Sequence, residues 1–118
     1  MIRFAPVIAL LALTTPALAD PCTAQVDGYK PGQKITGLVW YAGDGDSLCV
    51  GPSPNPNTWI EIREALWFAP ELHEPGGHQA KAVMDRLVGH RAVCTVERGH
   101  NGSTRSYDRV IAACAVDG

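Results

Sequence analysis

With 118 residues, 46% of them hydrophobic and 19% charged, the chain holds one small domain's worth of core. Its formal charge of −2 excludes a protein that gathers polyanions through overall positive charge. No apolar run reaches the length that a membrane-spanning helix needs.

The first element is a leader. Arg3 precedes an almost unbroken apolar run to Leu13, followed by Thr14, Thr15, Pro16 and then Ala17-Leu18-Ala19. A basic start, a short apolar core and small residues before the break read as a secretory signal peptide over residues 1–19, cleaved after Ala19. The expected mature protein is secreted or periplasmic, free of the membrane, and monomeric. Loss of Arg3 leaves nine basic and twelve acidic residues, a charge of about −3. Binding to nucleic acid then requires a local patch, which Arg86, Arg91, Arg98, Arg105 and Arg109 are able to supply.

Cys22, Cys49, Cys94 and Cys114 all lie in the exported part. Four cysteines in a small exported domain predict two disulfides, and three pairings exist. Cys94 and Cys114 fall in consecutive predicted strands, where a cross-strand bridge is sterically easy. Cys22 then pins the N-terminal arm to Cys49. The spacings do not match a zinc or redox motif.

Residues 20–33, with Pro21, Gly28, Pro31 and Gly32, read as an irregular arm ahead of the 34–118 domain. Lys34 to Tyr41 is a first strand rich in branched and aromatic residues. Asp44-Gly45-Asp46 makes a tight turn, and Ser47 to Val50 opens a second strand. Repeated prolines at 52, 54 and 56 then break regular structure. Thr58 to Ala65 is extended again, with Trp59, Glu61 and Arg63 on one face and Ile60 and Ile62 on the other. A loop over 68–77 leads into a helix whose apolar stripe is Ala80, Val83, Met84, Leu87 and Val88, ended by Gly89. A fourth strand runs from Arg91 to about Glu97, burying Ala92, Cys94 and Val96. A polar loop covers 99–106, and a fifth strand spans Arg109 to Val116. The pattern predicts a mainly β, α+β domain: a five-stranded Greek-key barrel of the oligonucleotide-binding (OB) type, with one helix between strands three and four.

Two carboxylates on a glycine turn suit a hard cation, and arginine forks suit a phosphate. Asp44-Gly-Asp-Ser-Leu48, Arg63, Ala69-Pro70-Glu71 and Tyr107-Asp108-Arg109 occur in that order, with Arg63 and Glu71 eight residues apart. This combination resembles the staphylococcal-nuclease (thermonuclease) family over about residues 34–116. That family carries Asp-Gly-Asp-Thr, an arginine eight residues before the glutamate of Asp-Ala/Thr-Pro-Glu, and Tyr-Gly-Arg at the fifth strand. Ser47 replaces its threonine and Asp108 its glycine. Phe68 stands where its second calcium-binding aspartate lies, and its C-terminal helices have no counterpart.

The resemblance implies a calcium-dependent phosphodiesterase acting on DNA or RNA. Asp46 and Asp44 would serve the metal and Arg63 the scissile phosphate. Glu71 would activate water, Arg109 would stabilise the transition state, and Tyr107 would lie near the nucleotide. Loss of one charged ligand weakens calcium, and His73 and His78 offer a softer ion such as zinc an alternative. The other reading of the same residues is an inactive barrel that binds a nucleic acid, a polysaccharide or a protein. Trp40, Trp59 and Trp67 supply aromatic surface for bases or for packing.

Overall fold

The computed structural model describes residues 20–43, 45–66 and 73–117. The strands are β1 (Lys34–Ala42), β2 (Ser47–Gly51), β3 (Ile60–Glu64), β4 (Arg91–Val96), β5 (Arg105–Ser106) and β6 (Arg109–Val116), with helix α1 (Gly77–Asp85) between β3 and β4. Antiparallel pairing gives the order β3-β2-β1-β4-β6-β5, and a parallel β3–β6 pairing closes it. The result is a five-stranded OB-like barrel with β5 hung on its edge as a short hairpin arm. That two-residue strand falls in the stretch that the sequence assigns to a polar loop.

Alternation with period two sets inside from outside. Val39, Leu48, Val50, Ile62, Ala92, Cys94, Val96, Val110 and Ala112 fill the interior and are almost wholly buried. Their odd- or even-numbered neighbours on the same strands face outward. β1 serves two partners, β4 through Lys34–Leu38 and β2 through Leu38–Ala42. Two features let it turn between them. Gly37 lies so close to β2 that a Cβ there would meet the Gly51 carbonyl oxygen at 2.5 Å. A bulge at Trp40 then shifts the register between Val39 and Tyr41. The Trp40 ring stacks on Trp59 at 5.6 Å, and the two indole nitrogens donate to Gly51 O and Ser53 O. These two tryptophans therefore pack on each other.

The helix is shorter than its sequence stripe. Met84 is buried and Leu87 packs against the core from the following turn, whereas Val83 and Val88 are exposed. Gly89 does not end the helix, which stops at Asp85. It adopts φ 89° in the turn that enters β4, and its N–H donates to Val39 O at 2.7 Å. Lys81 ties the helix to β1 by donating to Ala42 O.

Both disulfides form as the sequence predicts: Cys22–Cys49 and Cys94–Cys114. Cys94 and Cys114 face each other directly across β4 and β6. The outward-facing Cys49 holds the arm, which also donates from Thr23 N to Pro56 O and from Ala24 N to Trp59 O. Replacing Cys94 and Cys114 together by alanine should cost about 3 kcal/mol, because their 20-residue separation closes a sizeable loop in the unfolded chain. Thermal unfolding should show a midpoint lower by on the order of 10 °C. An unchanged midpoint would mean that the interior bridge adds nothing to barrel stability.

Candidate functional site

The parallel β3–β6 pairing sets Arg63 level with Ile111, and the antiparallel β2–β3 pairing sets Ser47 opposite Arg63. Glu61 and Arg109 lie one outward-facing step away on the same barrel wall. The 45–47 turn is drawn onto this wall because Asp46 O accepts from Glu64 N at 2.8 Å. Sequence-distant residues thus meet on the outer surface of β2, β3 and β6.

At the centre is the Asp46 carboxylate. Its Oδ2 lies 3.7 Å from Arg63 Nη2 and its Oδ1 lies 3.6 Å from Arg109 Nη1. Each oxygen faces a different guanidinium, and all three side chains are about three-quarters buried, at 25%, 23% and 21% exposure. Arg63 also donates to the Glu64 carbonyl at 3.1 Å. The two forks therefore converge on one anion-sized point, which Asp46 now fills.

Behind this triad is a cluster that the motifs did not reveal. Ser47 Oγ donates to Asp20 Oδ2 at 2.7 Å and approaches Glu61 Oε1 at 3.4 Å. Glu61 is buried, and its pKa is pushed up to about 8. Burial is the main cause, followed by a hydrogen bond and repulsion from Asp20 and repulsion from Asp108; Arg109 acts in the opposite direction. Near neutral pH Glu61 keeps its proton, which spares the wall a further negative charge beside Asp20, Asp46 and Asp108. The alternation Trp59, Glu61, Arg63 places Glu61 on Arg63's face, but nothing in the sequence shows that Asp20 folds over it.

A second buried carboxyl, Glu64, points inward where the β3–β6 ladder ends. Burial raises its pKa, opposed by hydrogen bonds from Cys114 N at 2.9 Å and Leu66 N at 3.4 Å. Its role is to replace a missing ladder acceptor.

Other expected site residues are more scattered. Tyr107 is 86% exposed at the tip of the β5–β6 hairpin, with φ 57°, a left-handed conformation that only glycine adopts cheaply. Its carbonyl accepts from Arg105 Nε, and Arg105 also pairs with Asp27. Arg98 and Arg105 line a cleft of about 520 Å³ that Arg63 also borders. Of the other patch arginines, Arg86 caps α1 and Arg91 opens β4. His73 and His78 are exposed on the loop and first turn of α1. Asp44, Trp67, Phe68 and Glu71 lie outside the described residues.

Of the expected calcium donors only Asp46 lies among the described residues. Asp46 is taken up by two cations, and among the described residues no group of three or more His, Cys, Asp or Glu side chains is placed to hold a metal ion. The arrangement as described is an anion cradle.

No family model and no curated protein matches the chain. Its chemistry therefore has to be read from the site.

Because Glu61 carries a raised pKa only when folded, stability should fall with rising pH. Between 4.5 and about 8 the unfolded chain has released a proton that the folded chain still holds. The slope should reach at most about 1.4 kcal/mol per pH unit, with Glu64 adding in the same direction. Urea unfolding at pH 5, 7 and 9 should show this decline, and Glu61→Gln should flatten it while Glu64's share persists. A wild-type curve that rises over this range would show that the carboxyl is ionised in the fold.

Proposed function

We propose that this protein is an exported, nuclease-like phosphodiesterase of the staphylococcal-nuclease type, acting on DNA or RNA. One observation carries the reading: Arg63 and Arg109, from different strands and 46 residues apart, converge on a single carboxylate. A carboxylate and a phosphodiester present similar paired oxygens, and guanidinium forks bind both. The two disulfides support an oxidising destination, as the leader-like first 19 residues do.

In this reading a backbone phosphate takes the place of the Asp46 carboxylate. Arg63 and Arg109 grip its non-bridging oxygens and stabilise the charge that grows there as water adds. Asp46 then swings aside, still tied by its backbone to β3. Glu71 keeps the water-activating role that the family resemblance gives it. Asp20 and Asp108 oppose an anion on this wall, so affinity should be modest and should fall with salt.

A second reading has an observation of its own. Asp46 is the one described member of the expected calcium set, and it serves as counter-ion to the arginines instead. That arrangement favours a barrel that captures a phosphodiester without cleaving it.

The deciding measurement uses disulfide-intact protein with single-stranded DNA and RNA, under calcium, magnesium, manganese or zinc against chelator. Hydrolysis predicts cation-dependent release of nucleotides that disappears in Arg63→Ala and Glu71→Gln. Capture without cleavage predicts binding that survives chelator and Glu71→Gln, with no release. Arg63→Ala should weaken binding on the order of tenfold under either reading. Binding that is indifferent to both arginines would remove the phosphate cradle altogether.

A further inference from the structure

Beside the cradle lies the cleft of about 520 Å³, and Arg63 borders both. That volume suits a nucleotide-sized ligand. Ala65 and Ile111 supply apolar wall, while Glu97 and Arg98 supply opposite charges at the end of β4. The far side is a self-bonded loop. Gly99 N donates to Ser103 O, Gly102 N to Gly99 O, and Ser103 N to the Asn101 side chain, at 2.8, 2.9 and 3.0 Å. Gly99 lets this loop close on the wall, since a Cβ there would meet Ile111 Cδ1 at 2.7 Å. The cleft is therefore built in advance of any ligand.

Its polar groups are not equally available. Arg105 is committed to Asp27 and to the Tyr107 carbonyl. Arg98 spends one nitrogen on Gly102 O at 2.8 Å, which fixes the fork and leaves the rest of it. Glu97 takes part in none of the side-chain ion pairs among the described residues. The cleft thus offers a carboxylate acceptor next to a guanidinium donor, between apolar walls.

From this we infer that the cleft selects guanine as the base adjoining the gripped phosphate, an inference that rests on the phosphodiester reading above. Guanine alone carries two adjacent donors on one edge, N1–H and N2–H, for a carboxylate. Its acceptors O6 and N7 stand next to them and face a guanidinium. Adenine and cytosine would turn a lone pair toward Glu97. Thymine and uracil would offer one N–H flanked by two carbonyl oxygens. Each of these leaves a carboxylate oxygen unpaired or repelled, and a site built to hydrogen-bond rejects such ligands strongly. Ala65 and Ile111 would cover the ring faces.

The test measures binding in chelator, by fluorescence anisotropy, of short oligothymidylates carrying one central guanine, hypoxanthine, adenine or cytosine. The guanine oligonucleotide should bind roughly tenfold tighter than the adenine and cytosine ones. Hypoxanthine lacks the 2-amino group and should fall between them. Glu97→Gln should abolish the preference, weakening the guanine oligonucleotide while the adenine one binds at least as well as before, and Arg63→Ala should weaken all of them alike. Equal affinities for all bases, or a preference that survives Glu97→Gln, would overturn guanine selection and leave the cradle standing. Failure of every oligonucleotide to bind would overturn both readings together.

Discussion

The parallel pairing of β3 with β6 is the constraint on which this molecule depends. All the other main ladders are antiparallel neighbours that would form an open, curled sheet. The one parallel pair joins its ends, removes the exposed edges and seals Ile62 and Val110 inside. The same register decides the outer surface. Placing Arg63 beside Ile111 brings Arg109 to within reach of the turn that carries Asp46. A slip of one residue would turn Arg109 inward and Val110 outward, so core and cradle are specified by a single alignment.

The cradle holds its own anion. Two guanidiniums set close together in a partly buried wall would repel, and Asp46 relieves that repulsion while no ligand is present. The wall is kept from excess negative charge by burial of Glu61, which holds its proton, and by the Ser47 hydroxyl that links it to Asp20. Recognition of a phosphate at such a point is an exchange of one anion for another. Its strength depends on the difference between them, and specificity then has to come from neighbouring surface such as the cleft beside Arg63.

Much of the fold is legible in the sequence because its signals are local. Alternation in Arg91–Val96 fixes that strand and its buried face, the apolar run Arg109–Val116 marks the last strand without showing which face is buried, and the glycine turn and proline run bracket β2. Strand adjacency gives the Cys94–Cys114 bridge, and Cys22–Cys49 is the pair that then remains. The helix stripe misleads at Val83 because a small barrel covers only one narrow side of a nine-residue helix, and at Val88 because the helix has already ended at Asp85. Convergence of Asp46, Arg63 and Arg109 is anticipated by motif order, whereas their mutual ion pairing is not, since spacing carries no information about which charge faces which. Glu61 and Asp20 escape notice for a different reason. Their contact joins an irregular arm to a strand, and no periodic pattern marks where an arm lies.

That arm links the wall beside the arginines to a disulfide. Asp20 meets Ser47 beside Glu61 two residues before the chain is bonded to Cys49, and the arm is held further by backbone hydrogen bonds, by Arg105 on Asp27 and by Val26 and Tyr29 on the core. Reduction of that bridge would remove the one covalent cross-link between the arm and the strand that carries Ser47. Oxidation therefore does more than toughen the barrel. It also anchors the arm whose Asp20 accepts from Ser47, on the wall beside the arginines.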